Sequence, residues 1–252
     1  KFESSDYGMI TLDVLEKYGV KIEYTHDETH WSFKIRGNQR YKYKLIPPEG
    51  DWSNAAFLLA LGALGKAPLR VQNLPIPSKQ GDAKILDLLK AFGVTLNCYE
   101  DIVDSLSGTV DVFPCRKLTA IPNIDASEFP DLVPIISLVA SISNGTTVIY
   151  NAERLRYKES DRLASTCHVL KALGANITET EDKLIIVGTK ALHGAYEGDG
   201  YGDHRIIMML AVSSLVTAGT VKIHEASAAS KSFPNFFEVL HKLGLDGNIE
   251  LV

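Results

Sequence analysis

Residues 131–140 read Asp-Leu-Val-Pro-Ile-Ile-Ser-Leu-Val-Ala, an acidic residue followed by an almost unbroken apolar run. The same pattern opens at Asp51 and again at Asp203, so one unit recurs about every 70–80 residues. Self-similarity at such a period is typical of a supersecondary unit that is used several times. It also allows equivalent positions of the copies to be compared directly.

Each copy predicts a helix, a strand, a polar loop, a second helix and a further strand. The first helix is apolar on all sides, which indicates burial in the centre of its domain. The second helix is amphipathic and ends at a glycine that supplies a left-handed C-cap (Gly93, Gly174 and Gly244). Strands are predicted at 146–150, 183–187 and 220–224. The sequence thus predicts an α/β (α+β) protein of repeated βαβαββ-type units, with buried helices, outer sheets and pseudo-threefold character.

The first 47 residues fit this unit less well. Ile10–Tyr18 predicts a helix of the second type, and 21–24 and 31–35 predict strands, but no first-type helix precedes them. The run Pro47-Pro48-Glu49-Gly50 is stiff and turn-forming, which predicts a boundary. We expect a chain that starts in the middle of a unit and is a piece of a longer protein. The expected division is a remnant of one domain (1–47) and a second domain (48–252) of three repeats (51–130, 131–202 and 203–252).

Composition narrows the function classes. The net charge is −5 and the pI is about 5.8, which argues against a general binder of nucleic acid or anionic membranes. The apolar runs are about half the ~20 residues that a membrane helix requires. Residues 1–10 show no signal peptide, so a cytoplasmic location is expected. Cys98, Cys115 and Cys167 are widely spaced and odd in number, which favours reduced cysteines over a metal or redox site.

Charged residues gather at matching places in the copies. Because the units are equivalent, the loops before their second helices should lie at one end of the domain, together with the starts of the first helices. Helix N-termini are already partially positive, so cations beside them repel the helix dipole. A bound anion that contacts both the cations and the helix N-termini offsets this repulsion, and the pattern therefore indicates an anion site. Asp131 and Glu159 lie in the same segments and are suited to proton transfer. The cations are Lys158, Arg162, Arg205 and Lys231.

Each of these residues also has a purely structural interpretation. The cluster at 158–162 is compatible with a solvated helix cap whose ion pairs are worth under about 1 kcal/mol each. Asp131 and Asp203 are compatible with plain N-caps, and Lys231 with a surface lysine. Their repeat-equivalent positions favour a shared site, because charged residues placed independently on the surface would not fall at equivalent positions of the repeats.

Three motifs in this order resemble the EPSP synthase family, the 3-phosphoshikimate 1-carboxyvinyltransferases of the shikimate pathway to chorismate and the aromatic amino acids. They are Arg156-Tyr-Lys-Glu-Ser-Asp-Arg162, Gly202-Asp-His-Arg205 and Lys231-Ser-Phe-Pro-Asn-Phe-Phe237. Shorter segments agree, namely Gln80-Gly-Asp82, Glu49-Gly-Asp51 and Ser4-Ser-Asp-Tyr7. The resemblance runs along nearly the whole chain.

The resemblance implies two domains of three such units each, closing on substrates in the cleft between them. It implies that this chain holds the end of the first domain and nearly all of the second. The region before it would supply a Lys and Ser pair for the shikimate phosphate, a Gly-rich stretch and an Arg for phosphoenolpyruvate. The chain alone is therefore expected to be inactive. The full-length protein would be a cytoplasmic monomer that needs no cofactor or metal.

The resemblance also implies a reaction and roles. The 5-hydroxyl of shikimate 3-phosphate adds to C2 of phosphoenolpyruvate, and phosphate is then eliminated. Asp131 would be the base, and Glu159 the acid that protonates and later deprotonates the methyl carbon. His204 would assist proton transfer or have a structural role. Phosphoenolpyruvate would be held by Arg162, Arg205 and Lys231, and shikimate 3-phosphate by Ser4, Tyr7, Asp131 and Lys158. Arg154 stands where family members often carry Asn.

Three alternatives stay open. The sister enolpyruvyl transferase that acts on UDP-N-acetylglucosamine shares the repeat fold, but the Lys-Glu-Ser-Asp-Arg motif disfavours it. An RNA 3′-terminal phosphate cyclase has related repeats, and the acidic composition disfavours that class. The alternative from another class is a non-catalytic, anion-binding half of an enzyme.

Overall fold

A computed structural model describes residues 5–27, 30–46, 48–100 and 107–244. The helices are α1 (Ser5–Lys17), α2 (Trp52–Leu64), α3 (Ile85–Ala91), α4 (Val133–Ser141), α5 (Arg162–Ala172), α6 (His204–Ser213) and α7 (Phe236–Lys242). The strands are β1 (Ile22–His26), β2 (Trp31–Ile35), β3 (Leu69–Gln72), β4 (Leu96–Glu100), β5 (Gly108–Val112), β6 (Asn123–Asp125), β7 (Thr146–Tyr150), β8 (Asn176–Glu179), β9 (Leu184–Val187), β10 (Tyr196–Asp199) and β11 (Val221–His224).

The three first-type helices form the centre of the structure. Helices α2, α4 and α6 contact one another pairwise. Every residue of α4 and α6 is buried, and so are all but two residues of α2. Burial on all sides matches their lack of a polar face, because a helix without one can be accommodated only inside. The predicted central position of these helices is confirmed.

The sheets join neighbouring repeats. They have the strand orders β3-β5-β4, β6-β7-β9-β8 and β10-β11. Strand β6 pairs in parallel with β7, and β10 pairs in parallel with β11. The last strand of one repeat therefore completes the sheet of the next, which orients successive helix starts toward a common end. This mixed architecture agrees with the predicted α/β class.

Element boundaries follow local sequence signals closely. The predicted strands at 31–35 and 146–150 have those bounds in the structure, and three others start one residue later. The helix predicted to begin at Ile10 begins at Ser5 instead. Its first turns include Gly8, although glycine is a poor helix former. A tertiary contact accounts for the difference: the backbone N–H of Ser5 donates to Glu128 Oε2 at 3.0 Å.

The amino-terminal elements lie outside the main core. Helix α1 and the antiparallel pair β1–β2 repeat the second half of a unit. The buried hydrophobic residues among those described all belong to the part of the chain from Trp52 onward. Ion pairs tie α1 to that part, as between Lys79 Nζ and Asp13 Oδ1 at 2.6 Å. Within the described ranges, no helix is both long enough and apolar enough to cross a lipid bilayer.

Candidate active site

Asp131 lies at the centre of the candidate site. It belongs to a short 3₁₀ turn, Pro130–Leu132, just before α4, and its side chain caps neither the turn nor the helix. Its Oδ1 accepts a hydrogen bond from Arg162 Nη1 at 2.7 Å and lies 3.4 Å from Lys158 Nζ. Its Oδ2 accepts from Arg205 Nη2 at 3.2 Å. Lys158 and Arg162 come from the segment that leads into α5, and Arg205 comes from the start of α6, so the interpretation of Asp131 as a plain N-cap does not hold.

The cations control the charge of Asp131. Burial alone would raise the pKa of its carboxyl group, but the neighbouring Arg205, Arg162 and Lys158 outweigh that effect and hold the pKa at about 2. The carboxylate is therefore ionised at neutral pH. It neutralises part of the positive charge of Lys158, Arg162 and Arg205.

Arg162 is enclosed by carboxylates and is 1% exposed. Its Nε donates to Asp203 Oδ2 at 2.8 Å, and its Nη2 donates to Glu159 Oε2 at 2.5 Å and to Asp203 Oδ1 at 3.2 Å. With the bond to Asp131, the guanidinium connects segments from the starts of α4, α5 and α6. Four of the five N–H groups of Arg162 donate to these three carboxylates, so a ligand carboxylate that accepts two hydrogen bonds from Arg162 must displace one of them.

The motif at 156–162 divides into inward and outward residues. Asp161 caps α5 by accepting from the backbone N–H of Ala164 at 3.0 Å. Arg156 donates to the backbone oxygen of Glu181 at 2.8 Å and ties the motif to the turn between β8 and β9. Lys158 and Arg162 contact Asp131, Arg162 also contacts Asp203, and Glu159 pairs with Arg162.

Arg205 is held from several sides. Its Nη2 donates to Ser53 Oγ at 2.6 Å, and its Nη1 donates to Asn54 Oδ1 at 2.9 Å. Its guanidinium lies 5.8 Å from the centre of the Phe57 ring. The buried Nε has no hydrogen-bond partner among the described residues. Arg205 thus keeps one buried donor without a partner among those residues.

Sequence reasoning missed Ser53 and Asn54. They occupy the second and third positions after Asp51, and Ser53 is equivalent to Arg205, the second residue after Asp203. That equivalence was the available signal. It was overlooked because the short polar residues of a first helical turn are usually explained by capping alone.

Lys231 and His204 lie at the edge of the cluster. Lys231 Nζ donates to the backbone oxygen of Gly202 at 2.7 Å, next to the start of α6. His204 Nδ1 lies 3.9 Å from Glu159 Oε1 and has no hydrogen-bond partner in the described part of the chain. Burial, with a contribution from Arg205, lowers the pKa of His204. The imidazole is therefore neutral at pH 7 and needs a rearrangement to exchange a proton with Glu159.

A cavity of about 630 Å³ opens beside the cluster. Its lining includes Tyr7, Ile10 and Val14 of helix α1, together with Asp131 and Arg205. The structure thus brings Tyr7 to the same cavity as the central residues. Ser4, the other predicted contact from this segment, lies outside the described residues.

Asp82 is a further residue that sequence reasoning left out of the site. It lines the cavity, is 5% exposed, and its Oδ1 has no hydrogen-bond partner among the described residues. Burial and the nearby carboxylate of Asp131 raise its pKa to about 7. Its loop, 78–82, is one of the repeat-equivalent loops. The signal was overlooked because the loop carries only one acid beside a single lysine.

No group of three or more His, Cys, Asp or Glu side chains in the described part is arranged to hold a metal ion. The three cysteines are free, with Cys98 exposed, Cys115 half-buried and Cys167 buried.

Comparisons with known proteins point to one family. The sequence model described as EPSP synthase (3-phosphoshikimate 1-carboxyvinyltransferase) matches residues 3–240. A 3-phosphoshikimate 1-carboxyvinyltransferase of Clostridium acetobutylicum is 41% identical over 244 residues, covering 97% of this chain and 53% of that protein. The same-named protein of Methanococcus maripaludis is 36% identical over 250 residues, covering 99% and 56%.

The fold agrees with a solved structure. The EPSP synthase of Acinetobacter baumannii superimposes with a TM-score of 0.76 at 25% identity, covering 90% of this chain and 52% of that one. The chain spans about half the length of the curated relatives it matches. Its motifs, its repeat architecture and a match over 238 of its 252 residues (3–240) agree, and the chain belongs to the EPSP synthase family.

Proposed function

We propose that the chain forms the second-domain half of a 3-phosphoshikimate 1-carboxyvinyltransferase, which transfers the enolpyruvyl group of phosphoenolpyruvate to the 5-hydroxyl of shikimate 3-phosphate. The observation that carries the proposal is the convergence of Lys158, Arg162 and Arg205 on the carboxylate of Asp131. Such a cluster suits two substrates that both carry phosphate and carboxylate groups.

Cations would bind phosphoenolpyruvate. Arg205, with its unpartnered Nε, would take the carboxylate, because a planar guanidinium fork matches that group. Arg162 would share it after exchanging one of its protein carboxylates. Lys231, whose ammonium group lies beside the start of α6, would take the phosphate. Lys158, Tyr7 and Ser4 would contact shikimate 3-phosphate.

Two carboxylates would move protons. Asp131 would accept the proton of the attacking hydroxyl, and Glu159 would protonate C3 of phosphoenolpyruvate and later remove a proton as phosphate leaves. A pKa of about 2 makes Asp131 a weak base before substrates bind. Bound anions would neutralise part of the surrounding positive charge and raise that pKa, which brings the base into a useful range only in the loaded site.

Calorimetric titration of the chain with phosphoenolpyruvate tests the anion site. Removing a charge-assisted hydrogen bond costs about 1.5–3 kcal/mol. We therefore expect Arg205→Ala to weaken binding by about 10- to 100-fold. Arg116→Ala, at an exposed arginine of a loop, is the matched control and should leave affinity unchanged. Equal affinity of wild type and Arg205→Ala would remove Arg205 from this role and overturn the proposed site.

The non-catalytic alternative applies to this chain by itself. The first domain would have to supply the remaining substrate contacts, so we expect the isolated chain to bind anions without releasing phosphate from the two substrates. Appreciable turnover by the chain alone would contradict this division of the site. Binding of UDP-N-acetylglucosamine in preference to shikimate 3-phosphate would favour the sister transferase.

We further propose that residues 1–47 belong to a first domain and residues 48–252 to a second one with repeats at 51–130, 131–202 and 203–252. The exposure of three large hydrophobic side chains on the β1–β2 pair supports this division: they are Tyr24, Phe33 and Ile35. Neighbouring exposed apolar side chains are typical of a surface that another part of a protein covers. The complete protein would be a cytoplasmic monomer that acts on small molecules and binds neither nucleic acid nor membranes.

A further inference from the structure

The side-chain amide of Asn54 uses its whole hydrogen-bonding capacity. Its Nδ2 donates to Asp51 Oδ2 at 2.7 Å and to the backbone oxygen of Ser232 at 2.9 Å. Its Oδ1 accepts from Arg205 Nη1 at 2.9 Å and from Ser232 Oγ at 3.1 Å. An amide offers two donor and two acceptor positions, and all four are occupied.

These bonds join three separate elements. Asn54 lies in the first turn of α2, Arg205 in the first turn of α6, and Ser232 just after the 3₁₀ turn that precedes α7. Ser232 directly follows Lys231, and its partner Asn54 is 178 positions away in sequence. The amide therefore lies between the segments that carry the two cations Arg205 and Lys231.

We propose that Asn54 is a positioning residue that sets the spacing between Arg205 and Lys231. This rests on the proposed function, in which Arg205 binds the carboxylate of phosphoenolpyruvate and Lys231 binds its phosphate. The ligand has two negatively charged ends at a fixed separation. A fixed spacing of the cations therefore matches the site to the ligand before binding.

Two physical features make the amide suited to this task. Ordering a lysine side chain on binding costs up to about 2 kcal/mol of rotamer entropy, and a backbone that is fixed beforehand avoids a further backbone cost of about 1–2 kcal/mol. A misplacement of about 1 Å can also cost a binding or catalytic site much of its efficiency. Asn54 fixes the backbone beside Lys231 and the guanidinium of Arg205 with one rigid group.

Two variants separate the donor from the acceptor. Asn54→Asp keeps the shape and the acceptor for Arg205, but it lacks both donors and brings a second carboxylate beside Asp51. Asn54→Ala removes all four bonds. Asn176→Ala is the matched control, because Asn176 is exposed on β8. Thermal unfolding of each variant identifies any that fails to fold.

Hydrogen exchange tests the physical link. The amides of Ser232 and Phe233 donate to the backbone oxygen of Ala229 at 3.3 and 3.0 Å. Both Asn54 variants should exchange these amides several-fold faster, while Asn176→Ala exchanges them at the wild-type rate. Unchanged exchange in both Asn54 variants would overturn the link to the Lys231 turn.

Titration with phosphoenolpyruvate tests the positioning role. Asn54→Ala should weaken binding about tenfold in the wild-type chain but less than about twofold when Lys231→Ala is already present, because there is then no second cation to position. A structural role would produce the same loss in both backgrounds, and that result would overturn the proposal.

The outcomes of the two proposals are distinguishable. If Arg205→Ala and Lys231→Ala leave affinity for phosphoenolpyruvate unchanged, the proposed function fails, and the positioning role fails with it. If these two variants weaken binding and the Asn54 variants do not, only the positioning role is wrong.

Discussion

Asp82 shows at the scale of one residue what burial does to a carboxylate. Its side chain is 5% exposed and one oxygen has no hydrogen-bond partner among the described residues. A deprotonated carboxylate in that position is costly, because it has lost water and gained only partial compensation from Arg205 and Lys158. The group therefore remains protonated to about pH 7 in the folded chain.

This shift predicts a pH-dependent stability. The pKa of Asp82 is about 7 in the folded chain and about 3.9 in an unfolded one. The stability that the raised pKa contributes is fully present below about pH 4 and is lost as pH rises to 7, because only the unfolded state releases its proton there. Asp82→Asn cannot ionise, so its gain over wild type should grow from near zero at pH 4 to a plateau above pH 7.

The pKa of Asp82 differs by about three units between the folded and the unfolded chain. This difference sets an upper limit of about 4 kcal/mol for the stability that Asp82→Asn gains over wild type above pH 7. Urea unfolding of wild type and Asp82→Asn at pH 4, 6 and 8 measures it. Asp87→Asn, at an exposed position on α3, is the control and should differ from wild type by less than about 0.5 kcal/mol at each pH. A stability difference for Asp82→Asn that does not change with pH would show that Asp82 is ionised throughout.

At the scale of the element, the ends of the second helices depend on glycine. Gly93, Gly174 and Gly244 all have positive φ, as the predicted left-handed C-caps require. At the end of α3 the N–H of Val94 donates to the backbone oxygen of Leu89, and that of Gly93 to Lys90, both at 2.9 Å. This pattern satisfies the last carbonyls of the helix and directs the chain into β4.

Gly93→Ala should destabilise the chain by about 1–2 kcal/mol, because φ is +100° there. An added Cβ would meet only the backbone oxygen of Lys117 at 3.5 Å, an ordinary contact, so backbone strain alone accounts for the loss. Gly37→Ala is the control, since it has open space and no positive φ. It should be neutral or slightly stabilising through the unfolded state. Equal urea midpoints for the two variants would contradict the assignment of a strained C-cap.

At the scale of the whole molecule, the core belongs to the three central helices and their sheets. The buried hydrophobic residues of the described part begin at Trp52. The contacts of α1 with the rest include the bond from Ser5 to Glu128 and the ion pairs of Asp13 with Lys79 and Lys17 with Glu49. Such partly exposed ion pairs are worth about 0–1 kcal/mol each.

A chain of residues 48–252 should therefore fold alone. We expect it to retain a single cooperative thermal transition and to lose no more than about 3 kcal/mol, the sum of these few contacts. Near-UV circular dichroism and urea unfolding measure both quantities. Asp13→Asn in the whole chain is the matched control, because it removes the ion pairs of Asp13 with Lys79 and Lys17 and keeps α1 in the chain. Loss of the cooperative transition in 48–252 would refute the boundary at 47.

The sequence alone determined the repeated unit, the buried first helices, most strand limits and the glycine caps, because these depend on periodicity and on the φ preferences of nearby residues. Repeat equivalence also predicted that the motif at 158–162 would meet Asp131 and Arg205. Only the tertiary structure decided how the charges are shared: Arg162 is enclosed by three carboxylates, and Asn54 binds Arg205, 151 positions away. Such partners depend on the distances between helix starts after packing, and no local pattern encodes those distances.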